Sequence, residues 1–229
     1  MRTPLQIAID GPVASGKGDI AARIAKRLSM TYIYTGAMYR ALALACIQKK
    51  ISCKDKKRVQ LILKDTSISI LPPNLHSKYP YTVYLGDEEV TERIQEEDTA
   101  KGASDVGVMP FVRRWMVACQ KNMVVGKRVI MEGRDIGSRV LPDAQMKIYL
   151  TADVIIRARR RFLQYKFKGN SRTLEQTLKD TNARDLQDIS RLIDQLQKLP
   201  DAWEIDTTNL TQEEVVKIIC AELQKRKLI

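Results

Sequence analysis

The sequence predicts an α/β fold in which a parallel β-sheet is covered by helices. Short apolar runs, each long enough for one strand, lie at residues 5–9, 129–131, 146–150 and 203–205, and longer segments separate them. The first run ends at a glycine-rich turn, and residues 20–28 beyond it repeat their apolar side chains with helical spacing. Strands that alternate with helices are typical of βαβ units, which build parallel sheets.

Two helices in the second half of the chain have recognisable starts. Thr173 with Gln176, and Thr211 with Glu214, have the spacing of capping boxes. In a capping box the third side chain of the helix returns a hydrogen bond to the backbone of the cap residue. The second of these helices runs to the basic segment 225–227, which is favourable beside the negative end of the helix dipole.

One stretch departs from the alternation of strands and helices. Two apolar runs, at 67–71 and 81–85, are separated by turn residues that include Pro72-Pro73, and Gly86-Asp87 follows the second run. This pattern predicts a small antiparallel hairpin group. Because no repeat or linker sets it apart, we expect an insertion that packs on the main body of one folding unit.

The composition is that of a globular protein. Of the 229 residues, 44% are hydrophobic and 29% are charged, which excludes the disordered and fibrous classes. No apolar run approaches the roughly 20 residues that span a bilayer, and Asp10 interrupts the first run too early for a secretory signal. We therefore expect a cytoplasmic protein with no membrane partner.

Cysteine and histidine usage argues against a zinc site, because the four cysteines form no C-x-x-C pair and there is one histidine. The net charge of +12 points to anionic partners, namely nucleic acid, a membrane surface or phosphorylated small molecules. Many arginines stand beside glycine or aspartate in short motifs. That placement favours phosphate recognition, since a guanidinium group binds two phosphate oxygens at once.

A glycine-rich segment lies between the first predicted strand and the first predicted helix. It reads Gly11-Pro12-Val13-Ala14-Ser15-Gly16-Lys17-Gly18-Asp19. Glycines let the backbone N–H groups of such a loop point at phosphate oxygens, while Lys17 adds a positive charge and the helix N-terminus adds its dipole. The segment predicts a phosphate-binding loop for ATP, formed by Gly11, Ala14, Ser15, Gly16, Lys17, Gly18 and Asp19.

Further motifs lie in order along nearly the whole chain. They are, among others, Thr35-Gly36-Ala37-Met38-Tyr39-Arg40, Pro110-Phe111-Val112-Arg113, Glu132-Gly133-Arg134-Asp135-Ile136-Gly137 and Arg184-Asp185-x-x-Asp188-x-x-Arg191. With these motifs the sequence closely resembles bacterial-type cytidylate kinases, which are P-loop nucleoside monophosphate kinases. The resemblance implies a P-loop NTPase-type sheet of five parallel strands in one unit, 1–229. Its parts are a core (1–35, 126–156 and 198–229), a monophosphate-binding arm that carries the insertion (36–125), and a lid with arginine helices (157–197).

The resemblance also implies a reaction, the transfer of the γ-phosphoryl group of ATP to CMP or dCMP with Mg²⁺ as cofactor. We expect a monomer with no specific nucleic-acid partner. Two residues depart from the family pattern, since Asp19 stands where a threonine is expected and Tyr34 where an aspartate is expected. Two alternatives stay open: another P-loop kinase acting on UMP, AMP or shikimate, and a basic protein whose nucleic-acid binding is gated by a nucleotide.

Phosphoryl transfer depends on positioning and charge stabilisation more than on a covalent catalyst, so arginines are the main candidates. The family motifs assign catalysis to Lys17, Arg134, Arg184 and Arg191. They assign CMP binding to Thr35, Tyr39, Arg40, Ser104, Arg113, Arg134, Asp135, Arg184 and Asp188. The lid residue Arg157, with Arg160 and Arg161 nearby, is assigned to the ATP phosphates. Candidate Mg²⁺ ligands are Asp19 and, through water, Asp10. Two alternatives stay open: Asp19 as a charge at the helix N-terminus, and Asp10 as an acceptor for N–H groups of the loop.

Two of these assignments have a physical reason in the sequence. Arg184, Asp188 and Arg191 have the i, i+4, i+7 spacing of one helical face, although a surface ion-pair ladder has the same spacing. In the base pocket implied by the family, Asp135 accepts the exocyclic amine of cytosine and Arg113 donates to N3 or O2. Uracil presents an oxygen and an N–H at the corresponding places.

Overall fold

The protein, seen in a computed structural model, is described over residues 4–167 and 169–229. Residues 1–3 of the predicted core and residue 168 of the predicted lid lie outside the described residues. The strands are β1 (Gln6–Asp10), β2 (Thr31–Tyr34), β3 (Ile68–Leu71), β4 (Thr82–Leu85), β5 (Glu88–Glu89), β6 (Val129–Gly133), β7 (Met146–Thr151) and β8 (Trp203–Asp206).

Five of these strands form a parallel sheet in the order β2-β6-β1-β7-β8. The central strand β1 is an apolar run whose Ile7, Ala8 and Ile9 are buried, as expected for a parallel strand that is covered on both faces. The predicted fold class is thereby confirmed. Strand β2 was the one element of the sheet that no apolar run marked, since its sequence Thr-Tyr-Ile-Tyr is short and half polar.

The helices lie between the strands along the chain. They are α1 (Lys17–Leu28), α2 (Thr35–Gln48), α3 (Lys56–Lys64), α4 (Glu97–Val106), α5 (Pro110–Met123), α6 (Val154–Phe167), α7 (Leu174–Ile189) and α8 (Gln212–Lys225). Short helical turns occupy Arg93–Gln95 and Ile136–Val140. Nowhere in the described chain is a helix both long and apolar enough to cross a membrane.

The predicted helix starts are confirmed, and one predicted helix is shorter than expected. Both capping boxes are present, with Thr173 and Thr211 as the cap residues. Helix α7, however, ends at Ile189, so Arg191 does not share a helical face with Arg184 as the i+7 spacing predicted. The backbone turns after Ser190, and the N–H of Leu196 donates to the carbonyl of Asp188.

The predicted hairpin group is also confirmed. Strands β3, β4 and β5 form a small antiparallel sheet, and β3 and β4 pack against α2. The ring of Tyr81, which precedes β4, lies 6.0 Å from that of Tyr32 and 5.6 Å from that of Tyr34, both in β2. The insertion therefore packs directly on the edge strand of the main sheet.

The sheet brings three loops to the same edge. The glycine-rich loop follows β1, Thr35 follows β2, and Arg134 follows β6. In a parallel sheet the carboxyl ends of neighbouring strands meet at one edge, where ligands of open α/β folds bind. Because β6 lies between β1 and β2, the three segments are neighbours in space. The first and the last are nevertheless separated in sequence by about 120 residues, roughly the length of a small domain.

Candidate active site

The glycine-rich loop has the backbone that its sequence predicted. Gly11 has a φ of 152°, and a Cβ at this position would lie 2.0 Å from the carbonyl oxygen of Leu150, so only glycine fits between β1 and β7. Ala14 has a left-handed φ of 58°, and Gly16 with φ 90° is the cap of α1. The loop therefore ends on a helix N-terminus, where free N–H groups and the dipole favour an anion.

Lys17 is folded onto this loop. Its side chain is buried, and Nζ donates to the carbonyl of Pro12 at 2.7 Å and to Oγ of Ser15 at 3.2 Å. Burial, followed by the nearby Arg134, lowers the pKa of Lys17 to about 7. The lysine is thus held at the loop in an environment where an added negative charge would restore its usual pKa.

A cavity of about 630 Å³ opens beside the loop. Among the described residues that line it, the cations outnumber the anions, and seven are arginines: Arg40, Arg113, Arg134, Arg161, Arg172, Arg184 and Arg191. Thr35, Tyr39, Ser104 and Asp135 line the same cavity. Eight of the nine predicted CMP-binding residues therefore meet in one space, and the exception is Asp188.

Asp188 lies beneath the cavity and joins three of its arginines. Its carboxylate is fully buried and accepts from Nε of Arg134 at 2.6 Å and from Nη2 of Arg191, while Nε of Arg184 lies 3.4 Å away. Burial raises the pKa of this carboxyl, but the three arginines outweigh burial and lower the pKa to about 2. The oxygens of Asp188 are engaged by guanidinium groups, and its contact with CMP stays a prediction.

Arg191 has donors left over after this pairing. Its Nε and Nη1 are buried and have no hydrogen-bond partner among the described residues. Burial lowers the pKa of Arg191 to about 10, against the opposing effect of Asp188. Buried guanidinium groups without a partner are costly, so this cluster is well suited to receive an anionic oxygen.

Arg113 and Asp135 form a second buried pair. Nη2 of Arg113 donates to Oδ2 of Asp135 at 2.6 Å, and its Nε donates to Oδ2 of Asp194 at 3.0 Å. Burial raises the pKa of Asp135, and Arg113 opposes that rise. Ser104, also predicted to bind CMP, lines the cavity and donates to Oε1 of Gln187 at 2.9 Å.

Asp194 and Gln187 were not singled out in the sequence. Gln187 lies within α7 and Asp194 follows it. Neither belongs to a glycine motif, so its place in the site is recognised only from the residue that it contacts across the cavity. The signal that was available is the alternation of acidic and basic residues from Arg184 to Asp194. Asp194 also pairs with Arg139 at 2.7 Å, which makes it a support for the Arg113 side chain.

The remaining residues of the predicted CMP set are held by backbone contacts. Oγ1 of Thr35 donates to the carbonyl of Glu132 at 2.9 Å, and Nη1 of Arg40 donates to the carbonyl of Ile94 at 2.8 Å. The guanidinium of Arg113 lies 5.8 Å from the centre of the Tyr39 ring. Tyr39 thus packs beside the second buried ion pair, whereas Thr35 ties α2 to β6.

Asp10 supports the segment that carries Asp135. Its two carboxylate oxygens accept the backbone N–H groups of Ile136 and Gly137, each at 2.8 Å. Burial raises the pKa of Asp10 to about 6, although both hydrogen bonds oppose that rise. The water-mediated magnesium role of Asp10 stays a prediction, and the contacts present give this residue a positioning role.

Arg157, predicted to bind ATP phosphates, lies behind the glycine-rich loop. Its Nη1 donates to Oδ2 of Asp185 at 2.6 Å and to the carbonyl of Val13 at 3.1 Å, and Nε donates to Ala152. Asp185 in turn accepts from the N–H of Val13. The pair connects α6, α7 and the loop, but Arg157 lines neither the larger cavity nor a smaller one on the other side of the loop. Its phosphate contact stays a prediction.

The smaller cavity has a volume of about 290 Å³. Ala14, Ser15 and Gly16 line it together with Arg160 of α6 and residues that precede or begin α8. Asp19, exposed in the first turn of α1, lines it as well and accepts from Nε2 of Gln212 at 3.0 Å. Gly18 faces away, toward Tyr32 and Glu132.

Comparisons with known proteins agree with this arrangement. Residues 7–225 match the family model of cytidylate kinases. The cytidylate kinase of Geobacillus kaustophilus is 42% identical over 226 residues, covering 99% of each chain. That of Caldanaerobacter subterraneus is 40% identical over 221 residues, covering 96% of this chain and 95% of its own.

A solved structure shares the fold at much lower sequence identity. An uncharacterized protein from Eubacterium ventriosum has a TM-score of 0.50 at 12% identity, with 96% of this chain and 98% of its own covered. The match to the family model spans the glycine-rich loop, the arginine-lined cavity and helices α6 and α7, and the curated relatives agree over the same length. This chain belongs to the cytidylate kinase family.

Proposed function

We propose that the protein transfers the γ-phosphoryl group of ATP to CMP or dCMP, giving ADP and CDP or dCDP. The observation that carries this proposal is the position of the seven-arginine cavity directly beside the glycine-rich loop. A donor triphosphate at the loop and an acceptor monophosphate in the cavity would meet at Lys17, Arg134 and Arg184. Relatives named cytidylate kinase support the choice of acceptor.

The donor site is the loop together with the smaller cavity. The β- and γ-phosphates bind the backbone N–H groups of residues 14–18, and Lys17 leaves Pro12 and Ser15 to contact them. The adenosine part occupies the smaller cavity, which the loop shares with Arg160. Backbone donors held in place before the reaction stabilise developing charge without reorganisation.

The transfer site is the arginine cluster around Asp188. Arg134 and Arg40 bind the phosphate of CMP, while Arg184 and Arg191 approach the transferring phosphoryl group. The two unpartnered donors of Arg191 support this assignment, because charge on the equatorial oxygens grows as donor and acceptor oxygens align. Asp188 draws the three guanidinium groups together by pairing with each of them, and it is also proposed to contact CMP.

Mg²⁺ is proposed to accompany ATP. Such ions are held mostly by water and substrate phosphates with one or two carboxylates, so the lack of a three-ligand cluster among the described residues fits this mode. Asp19 is the proposed carboxylate, since it lines the same cavity as Ala14, Ser15 and Gly16. When bound, the ion neutralises charge on the β- and γ-phosphates.

Residues 36–125 and 157–197 are proposed to act as the monophosphate-binding arm and the lid. Asn170 and Arg172, which precede α7, both bond to Glu97 at the start of α4. These contacts join the two segments across the larger cavity and support closure over the nucleotides, which excludes water from the transfer step. The protein is also proposed to act as a monomer.

Base selection is proposed to depend on Arg113 and Asp135. With CMP, Asp135 accepts the exocyclic amine and Arg113 donates to N3 or O2. With UMP, the Asp135 carboxylate would face a carbonyl oxygen and the Arg113 guanidinium would face an N–H group. Both side chains would then be unpaired in a closed site. Two unpaired buried groups, at about 1–3 kcal/mol each, correspond to a preference for CMP of about 30-fold or more.

The proposal is tested by measuring ADP release with CMP, dCMP, UMP, AMP and shikimate. CMP and dCMP should exceed the other acceptors in kcat/KM by about 30-fold or more. Asp135→Asn should lower the CMP to UMP ratio, and the exposed Asp143→Asn is the matched control. Equal kcat/KM for CMP and UMP in the parent protein, or a preference for AMP or shikimate, would show that the proposed acceptor is wrong.

A further inference from the structure

Tyr34 is a residue of the larger cavity whose role is not explained by the family motifs. It is the last residue of β2, lies opposite Glu132 of β6 in the parallel register, and lines the cavity next to Thr35 and Gly36. An aspartate is expected at this position from the family pattern. A neutral phenol here therefore changes the chemistry of the wall that faces the arginine cluster.

The ring of Tyr34 is held on two sides. Its centre lies 5.6 Å from that of Tyr81, at an angle of 43°, and Tyr81 is itself buried and accepts a hydrogen bond from Gln95. On the other side the ring covers Gly36, where a Cβ would lie 2.5–2.7 Å from three atoms of the phenol. These contacts determine where the hydroxyl stands, so little freedom is lost when it binds a ligand.

The hydroxyl of Tyr34 itself has no hydrogen-bond partner within residues 4–167 and 169–229, in contrast to that of Tyr81. Arg134 and Arg184 line the same cavity. Guanidinium groups only donate hydrogen bonds, so neither arginine is able to accept the phenol proton. An anionic oxygen bound by these arginines would supply the acceptor that the hydroxyl lacks.

We propose that the Tyr34 hydroxyl donates a hydrogen bond to the phosphate group of the acceptor nucleotide, beside Arg134 and Arg184. This inference rests on the proposed function, since it takes the acceptor to be CMP or dCMP. The phenol adds a donor without adding a negative charge that would oppose the incoming phosphate. Tyr34 is thus a substrate-binding residue that replaces the carboxylate of the family pattern.

The test is Tyr34→Phe, which keeps the ring and removes only the hydroxyl. A hydrogen bond to a charged group contributes enough to predict about a tenfold or greater rise in the KM for CMP and in its Kd without ATP. Thermal stability and the inhibition constant of cytidine, which has no phosphate, should not change. Tyr84→Phe, in β4 and outside the cavity, is the matched control.

Two results would overturn the inference. One is a kcat/KM for CMP within about twofold of the parent, a factor too small for a charge-assisted hydrogen bond. The other is an equal loss of CMP and cytidine binding, which would mean that the hydroxyl acts on the shape of the pocket. A parent protein that is inactive on CMP would contradict the proposed function instead, and inorganic phosphate binding to parent and variant would then decide the role of Tyr34.

Discussion

Replacing Asp188 with asparagine should destabilise the protein strongly, because it leaves three arginines around an uncharged side chain. Asp188 is fully buried and pairs with Arg134, Arg184 and Arg191. Removing one member of a buried ion pair typically costs about 3–5 kcal/mol. The side chains of Arg134 and Arg184 are 20% and 29% exposed, so water screens part of the repulsion and the lower end applies.

The pKa of Asp188 gives a second route to the same magnitude. It is about 2 in the folded protein, against 3.8 as the ordinary value, and each pKa unit corresponds to about 1.4 kcal/mol. The carboxylate therefore contributes roughly 2–3 kcal/mol to the free energy of unfolding at neutral pH. Because the folded pKa is the lower one, this contribution is complete above pH 4 and is lost as the pH falls from about 4 to 2.

The measurement is urea denaturation followed by the fluorescence of Trp115 and Trp203. At pH 7 the Asp188→Asn variant should lose about 2–3 kcal/mol, or roughly 4–12 °C in Tm for a chain of this size. The difference from the parent should shrink below pH 4. Glu175→Gln, an exposed pair with Lys179 on the same helix, should change stability by less than about 0.5 kcal/mol.

Two outcomes would refute this reasoning. If Asp188→Asn were as stable at pH 7 as the Glu175→Gln control, the three arginines would not depend on the carboxylate. If the difference were large but the same at pH 7 and pH 3, it would come from packing, since asparagine and protonated aspartate are both neutral. Added sulfate should stabilise the variant more than the parent, because it supplies the missing negative charge.

Two further predictions concern the donor side of the site. The pKa of Lys17 is lowered to about 7 by burial and by Arg134, so ATP binding above that pH should take up protons, and ATP affinity should fall as the pH rises. Calorimetry at pH 8 in buffers of different ionisation enthalpy measures this uptake, which should vanish in Lys17→Met; no uptake in the parent would contradict it. Asp19→Thr should raise the Mg²⁺ concentration needed for half-maximal turnover while leaving turnover at saturating Mg²⁺ unchanged. An unchanged Mg²⁺ titration would show that Asp19 is not a metal ligand. Its role would then be to accept the hydrogen bond from Gln212.

Features that depend on neighbours in sequence were predictable from the sequence. The strand before Gly11, the loop that ends at Lys17 and the helix after it follow from local apolar spacing and glycine. The capping boxes at Thr173 and Thr211 are equally local, because both hydrogen bonds join residues three apart. Strand β2 was not predicted, because an alternation over four residues is too short to distinguish a strand from a loop.

Only the tertiary structure decided how the charged residues share the site. The spacing of Arg184, Asp188 and Arg191 fits a solvated ladder as well as a buried cluster, and burial of Asp188 under Arg134 depends on β6 lying between β1 and β2. Gln187 bonds to Ser104 and Asp194 to Arg113, each more than 80 residues away in sequence. Patterns in a window of about 11–18 residues do not predict contacts over such a separation. The energy of a charge is set by the groups packed around it, and those groups are brought together by the fold.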